Sequence, residues 1–337
     1  MKRILIVNVN WLGDTLFITP FIRAVRERYP ASYIAILTHP RCREIIEGNP
    51  DINEIIIYDE KKQHGKLLQK FLMVSSLRSK KFDAAFILRK SLGRTLLLIF
   101  SKIPVRIGYV SRKAGFLLTK KIPLPAGELH KVEYFLNLAK SAGIDARDRN
   151  YAVHVSAADM KQGEDILKKA GIKGRHFIAL NAGGNWGLKR WPAQNFAKLG
   201  DMIAEKLKMA VVLTGAEKDI TLAENIAAGM KYKPFILCGK TNLKTLCAVF
   251  KKAACVVSND SGPMHLAAAS GAPVIAIFGP TSPGLTGPYG KGRSIVLRKD
   301  AGCKIPCYDL KCKDNRCMKA VTTEDVMRAI DEIIKCP

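Results

Sequence analysis

CVVSNDSGPMHLAAASGAPVIAIFG, residues 255–279, is the stretch on which the reading of the chain turns. An apolar run stops at Asp260-Ser261-Gly262, and Pro263 suits the first turn of a helix. MHLAAAS then carries the helix, and PVIAIFG returns to an apolar run bounded by turn residues. A strand, a helix and a second strand in this order make a parallel unit with its polar turn at the carboxyl end of the first strand. The N–H groups that open such a helix have no partner within it and, with the helix dipole, form a seat for an anion. Asp260, Ser261, Gly262, Pro263, Met264 and His265 are therefore candidates for holding a diphosphate, with the Ser261 hydroxyl and the His265 ring adding to the backbone groups.

The same grammar extends through the second half. Strands are expected at HFIAL (176–180), AVVLTG (210–215) and FILCG (235–239), with helices from Pro192, from Glu217 and over LKTLCAVFKKA. A last helix, TTEDVMRAIDEIIK, opens with a Thr-x-x-Asp/Glu-like cap near Thr322. The first half alternates in the same way, with strands RILIV (3–7), YIAIL (33–37), EIIIY (54–58), DAAFIL (83–88) and VRIGY (105–109). Helices fall between them at ITPFIRAVRERY, LLQKFLMVSSLR and LGRTLLLIF. The expected class is α/β, two doubly wound, Rossmann-like parallel sheets. The polar segment SAGIDARDRN (141–150) separates the two series and predicts domains over 1–155 and 156–337. Two such domains facing one another place a cleft at the carboxyl ends of their strands.

A length of 337 residues suits two domains, and 48% hydrophobic with 25% charged residues is the balance of a folded chain. The net charge of +26 draws anionic ligands. It is spread evenly: residues 1–150 hold 27 Lys+Arg against 13 Asp+Glu, and the remainder 28 against 16, giving +14 and +12. No nucleic-acid-binding motif accompanies it, so nucleic acid is not expected as a partner. The opening ILIV run is too short for a signal peptide, and the densest later run, LLLIF at 96–100, falls far below the ~18 apolar residues of a membrane span. Nine scattered cysteines point to a reducing compartment. A cytoplasmic protein is expected, with its basic surface suited to peripheral contact at an acidic inner leaflet.

Polar clusters follow the strands, where open α/β sheets bind ligands. After the first strand comes Asn10-Trp11-Leu12-Gly13-Asp14-Thr15, which puts a carboxylate at the mouth of a helix, either as a cap or as a group able to take a proton from an attacking hydroxyl. After HFIAL comes Asn181-Ala182-Gly183-Gly184-Asn185-Trp186-Gly187-Leu188-Lys189-Arg190-Trp191-Pro192. Gly183 and Gly184 let backbone N–H groups approach a phosphate, and Lys189 or Arg190 adds a cation. TGAEKD (214–219) is a turn and helix start, and FGPTSPGLTGPYG (278–290) is a possible rim. No Walker A or Gly-x-Gly-x-x-Gly pattern is present, and no Asp-x-Asp pair of the kind that holds a divalent ion on a nucleotide sugar. No metal and no cofactor are expected.

These residues resemble glycosyltransferase family 9, the ADP-heptose:lipopolysaccharide heptosyltransferases, and the type II enzymes more than type I. The resemblance spans nearly the whole chain and rests on NWLGDTLFITPFIRAVRERYP, KRWP (189–192) and NDSGPMHLAAASGAPVIAIFGPTSPGLTGPYG. It implies a GT-B fold with the acceptor on the first domain, ADP-heptose on the second, inversion at the anomeric carbon and no metal. It implies Asp14 as catalytic base, Lys189 on the donor phosphates, Asp260 to His265 as the donor-binding turn, and Glu217 near the nucleoside. Asn181-Ala182-Gly183 departs from the Pro-Gly-Ala common in the family. Arg89, Lys90 and Arg94, after DAAFIL, are candidates for gripping a phosphorylated lipopolysaccharide core acceptor.

Cys303, Cys307, Cys312 and Cys317 form a cluster whose spacing departs from zinc ribbons and iron–sulfur runs, and a similar segment occurs in type II sequences. It is read as a structural feature. Two rival functions stay open: a family 9 transferase using another nucleotide sugar, and a non-enzymatic binder of anionic ligands or nucleic acid.

Overall fold

A computed structural model describes every residue except 113, 173–175, 308, 310 and 336–337. The chain divides into two compact units, Met1–His154 and a second from Val155 onward.

The first unit runs β1 (Arg3–Val7), α1 (Leu12–Phe17), α2 (Thr19–Arg28), β2 (Tyr33–Thr38), α3 (Arg43–Ile46), β3 (Glu54–Ile57), α4 (Leu67–Ser79), β4 (Ala84–Ile87), α5 (Leu92–Phe100), β5 (Val105–Tyr109), β6 (Lys120–Ile122) and α6 (Lys131–Ser141). Its six strands are all parallel, in the order β3-β2-β1-β4-β5-β6. The central strands are apolar without alternation because both faces are covered by helices. Ile4 to Val7 and Ala84 to Phe86 are fully buried. Leu77 and Met73 of α4 join Leu5, Val7, Ala35, Leu37 and Ala85 in one core cluster.

The second unit runs α7 (Ala157–Lys169), β7 (Phe177–Asn181), α8 (Ala193–Met202), β8 (Ala210–Leu213), α9 (Ile220–Ala228), β9 (Phe235–Ile236), α10 (Leu243–Lys252), β10 (Cys255–Asn259), α11 (Gly262–Ser270), β11 (Val274–Ile277), α12 (Pro283–Thr286), β12 (Ser294–Leu297), α13 (Arg316–Lys319) and α14 (Thr323–Lys335). Its strands are also all parallel, ordered β12-β11-β10-β7-β8-β9. The Thr322 cap forms as the sequence predicts: Asp325 N–H donates to Thr322 Oγ1 and Thr322 N–H to the Asp325 carboxylate, both at 3.1 Å.

Counted within each unit, both sheets have the strand order 3-2-1-4-5-6 of doubly wound nucleotide-binding folds. The order reverses between β1 and β4 in one unit and between β7 and β10 in the other. Helices leave these neighbouring strands toward opposite faces, so a crevice opens at their carboxyl ends. Edge strands β6 and β12 went unread in the sequence, because KKI and SIVL are short and largely exposed. Helices α6 and α7 border the polar segment taken as connection. Among the described residues no helix is long and apolar enough to cross a membrane.

Candidate active site

In the first unit the chain leaves β1 through Asn8, which is fully buried. Its Nδ2 donates to Thr38 Oγ1 at 2.9 Å and to Thr15 Oγ1 at 3.2 Å, while its Oδ1 accepts from Val9 N–H at 2.7 Å. This pins the loop that carries Trp11 to Asp14. Asp14 lies in the first turn of α1 and makes no capping bond, for the helix starts at Trp11 without a side-chain cap. Burial pushes the Asp14 carboxyl above the ordinary carboxylate range, and the Lys131 ammonium pulls it partly back. A half-buried carboxylate of raised basicity, with no hydrogen bond to it among the described residues, is equipped to accept a proton.

Around it the fold gathers cations. The Lys90 and Lys131 ammonium groups stand 5.8 and 5.5 Å from the Tyr134 ring centroid, so both lie against the same aromatic ring. Burial and then repulsion from Lys131 lower the Lys90 pKa. Two ammonium groups held close enough to repel one another favour an anion such as a phosphate, although Lys131 also acts on the Asp14 carboxylate. Lys131 opens α6, 41 positions from Lys90 in the sequence, and nothing local marked it out. Arg41 stacks over the exposed Trp11 ring at 4.8 Å.

Arg94 is placed differently from the sequence expectation. It is fully buried, and each of its three nitrogens is engaged: Nη1 donates to Asn8 O at 2.6 Å, Nη2 to Asn10 Oδ1 at 2.8 Å, and Nε to Glu60. It therefore clamps the strand end beneath the Asp14 loop and has no face left to grip an acceptor. Arg89, half-exposed, has Nη1 3.7 Å from the same Glu60 carboxylate. Of the three cations expected after β4, Arg94 is sealed in, Arg89 is partly exposed and turned toward Glu60, and Lys90 is the most exposed.

In the second unit, the carboxyl ends of β7 and β10 converge. Asn259 at the end of β10 donates to Ala182 O at 2.9 Å and accepts from Trp191 N–H at 3.0 Å, tying the glycine loop to the donor turn. Lys189 Nζ lies 2.6 Å from the Asp260 carboxylate, which also accepts from Thr281 Oγ1 at 2.5 Å. Asp260 is buried and the Lys189 side chain partly exposed, so the carboxylate anchors the lysine at the edge of the turn. The nine-residue helix α11 begins at Gly262, with Ser261 at the N-cap position and no side-chain cap, so the first-turn N–H groups other than that of Pro263, which has none, remain available.

The other expected donor residues divide. Gly183 lies directly over Asp219: a Cβ there would come within 2.7 Å of its Oδ2. No side chain is accommodated at that turn. Arg190 folds back onto Gly184 O, with Nε at 3.0 Å and Nη2 at 2.5 Å, and so braces the loop instead of presenting its charge. Asn181 spans to the next loop by donating to Thr214 O and Oγ1 at 3.0 and 3.2 Å, a bridge that proline could not make. Glu217 is exposed in a turn of 3-10 helix ahead of α9. Met264 and His265 have buried side chains, 0% and 5% exposed.

The sequence profile of Glycosyltransferase family 9 (heptosyltransferase) matches residues 71–316, most of the chain. The chain belongs to glycosyltransferase family 9. It is 30% identical over 311 residues to lipopolysaccharide heptosyltransferase 2 of Salmonella typhimurium, covering 88% of each chain. It is 27% identical to lipooligosaccharide heptosyltransferase 2 of Haemophilus ducreyi, over 99% of this chain and all of that one. Among solved structures, a family 9 glycosyl transferase from Veillonella parvula superposes with a TM-score of 0.90 at 25% identity, covering 99% of this chain and 97% of that one. The E. coli ADP-heptose heptosyltransferase II does so at 0.82 and 25% identity, covering 99% and 98%. The two Rossmann-like units are those of the GT-B class, and this family 9 chain is a glycosyltransferase.

The four clustered cysteines of this family 9 chain are free thiols. Cys312 Sγ accepts from Asn315 N–H at 3.4 Å and Cys317 Sγ donates to Asn315 Oδ1 at 3.8 Å, so both pack around one turn beside β11. Cys307 N–H donates to Pro280 O at 2.7 Å and ties the segment to the loop that carries Thr281. No group of three or more His, Cys, Asp or Glu side chains is assembled to hold a metal ion among the described residues.

Proposed function

We propose that this chain transfers a heptose from ADP-heptose to a phosphorylated inner-core acceptor of lipopolysaccharide, with inversion and without a metal. The observation that carries this reading is that each unit, taken by itself, bears a charged site at its sheet's switch point. One is a raised-pKa carboxylate, Asp14, beside Lys90 and Lys131; the other is the uncapped start of α11 beside the anchored Lys189. The Salmonella relative acts on lipopolysaccharide, and the E. coli structure is named for ADP-heptose, which support that donor and acceptor.

Transfer requires donor and acceptor to meet Asp14 and the α11 turn in one complex, with the acceptor held by the first unit (1–155 by the sequence division) and the nucleotide sugar by the second (156–337). Asp14 takes the proton of the acceptor hydroxyl as its oxygen bonds to the anomeric carbon. The bond from that carbon to the diphosphate oxygen breaks on the opposite face, and its electron pair leaves with ADP. Lys189, Ser261 and the first N–H groups of α11 stabilise the departing charge, each well-placed donor contributing about 3 kcal/mol. The positive charge that a divalent ion would supply is provided by the chain, which has no Asp-x-Asp pair to hold one. Lys90 with Lys131 holds the acceptor phosphate, and Glu217 reaches the nucleoside. The chain works in the cytoplasm, in peripheral contact with the membrane that carries its acceptor.

Incubating the protein with ADP-heptose, UDP-sugars and GDP-sugars, each with and without a heptose-free core acceptor, tests the reading. ADP release that depends on acceptor is expected. Release from another nucleotide sugar alone moves the donor assignment, and salt-sensitive anion binding with no release leaves a binding protein.

A further inference from the structure

Of the thirteen large apolar or aromatic side chains left exposed among the described residues, eleven belong to the first unit. Four of them sit together in the first six residues of α4: Leu67, Leu68, Phe71 and Leu72 are 84%, 65%, 68% and 51% exposed. At 100° per residue these positions fall on one face of the helix, while Met73 and Leu77 on the other face pack into the core. The helix is thus apolar on both sides, and burial of the inner face accounts for only half of its leucine-rich sequence. An exposed stripe of this kind marks an interaction surface.

The charge around it selects the partner. Residues 61–82 carry seven Lys or Arg and no Asp or Glu. Lys61, Lys62, Lys66 and Lys70, just before and within the amino end of α4, are exposed. Asp59 accepts from the backbone N–H groups of Lys61 and Lys62 at 3.1 and 3.2 Å and lies within electrostatic reach of Lys62, but none of the four ammonium groups forms a salt bridge among the described residues. A row of leucine and phenylalanine bordered by unpaired lysines is the composition that lies in the headgroup region of an anionic bilayer, with apolar side chains in the acyl boundary and ammonium groups on the lipid phosphates. A protein interface of the same area would deplete lysine.

Its position gives it a use. In a parallel sheet the helix following a strand begins at the carboxyl edge, so the amino end of α4 emerges at the edge where Asp14, Lys90 and Lys131 lie. We propose that the amino-terminal half of α4, with its lysines, is the membrane-docking surface of this enzyme and seats the acceptor edge of the first unit against an anionic phospholipid surface. The membrane claim stands on the exposed surface alone; the link to acceptor delivery rests on the function proposed above.

The test is sedimentation of the full chain with phosphatidylglycerol-containing vesicles and with pure phosphatidylcholine vesicles, for the wild type, Leu68→Gln/Phe71→Gln and Lys66→Gln/Lys70→Gln. All four positions are exposed, so the variants should fold, which circular dichroism checks. The wild type should bind the anionic vesicles in preference. The lysine pair should lose about thirtyfold in partition and the apolar pair at least about tenfold. Both variants should keep turnover of a delipidated acceptor and lose turnover of vesicle-embedded acceptor. Unchanged partition in either variant overturns the proposal, as does equal binding to neutral vesicles. A concentration-dependent dimer that Phe71→Gln converts to monomer assigns the face to a second copy and also overturns it. Vesicle binding lost as expected in a protein with no transferase activity on any acceptor would sink the functional reading and leave the docking surface standing.

Discussion

Replacing Arg94 by methionine removes a buried guanidinium while keeping most of its aliphatic volume. Three interactions go: the bonds to Asn8 O at 2.6 Å and Asn10 Oδ1 at 2.8 Å, and the ion pair with Glu60. Removing one member of a buried pair costs about 3–5 kcal/mol. Glu60 is about a third exposed and can be rehydrated, so the lower end, about 3 kcal/mol, is the better figure. In a unit of this size that lowers the melting temperature by roughly 6–12 °C. Activity should fall as well, because the lost bonds anchor the strand end from which the Asp14 loop departs, and a shift of ~1 Å at a reacting group costs about a hundredfold. The assay is thermal unfolding alongside kcat and acceptor KM. Arg94→Lys should restore little, since a single ammonium cannot reach three acceptors at once. An unchanged melting temperature with a large rise in acceptor KM alone would refute the clamp and return Arg94 to direct acceptor binding.

Asp14→Asn should lower acceptor-dependent ADP release by about 10²–10⁴ while leaving donor binding intact, measured by titration with ADP. Burial raises the Asp14 pKa above its unfolded value, so its favourable contribution to stability is present at low pH and lost as pH rises through the folded pKa. At neutral pH the variant should therefore melt at the wild-type temperature or above it, and a clear drop would mark Asp14 as structural. Lys131→Met removes the cation that lowers the Asp14 pKa, so the acid limb of the kcat/KM profile should move to higher pH; a limb that stays in place separates Lys131 from Asp14. Gly183→Ala drives a methyl to 2.7 Å from Asp219 Oδ2 and should cost about 1–3 kcal/mol by denaturant unfolding with a raised donor KM. Wild-type stability there would show that the loop has room to move.

The strands were legible because both sheets are covered on two faces. Runs such as ILIV (4–7) and VIAI (274–277) are continuously apolar because both faces are buried, and no other short element combines that with β-branching and flanking turns. The glycine loop and the Asp260–His265 turn were legible for a related reason, since they end those runs where a parallel sheet binds ligands. Short, half-exposed β6 and β12 carry neither signal.

The sequence by itself determined two parallel α/β series, the loops that bear Asp14, Lys189 and Asp260, and a resemblance to a transferase family. It could not assign direction to side chains. Arg94 turning inward while Lys90 stays open, Lys131 meeting Lys90 across Tyr134, Thr281 reaching Asp260 and Asp219 lying under Gly183 all join residues from separate elements. Local composition reports burial and turns, whereas the partner of a charge depends on which strand ends the crossover connections bring side by side, and that is settled only when the sheets assemble.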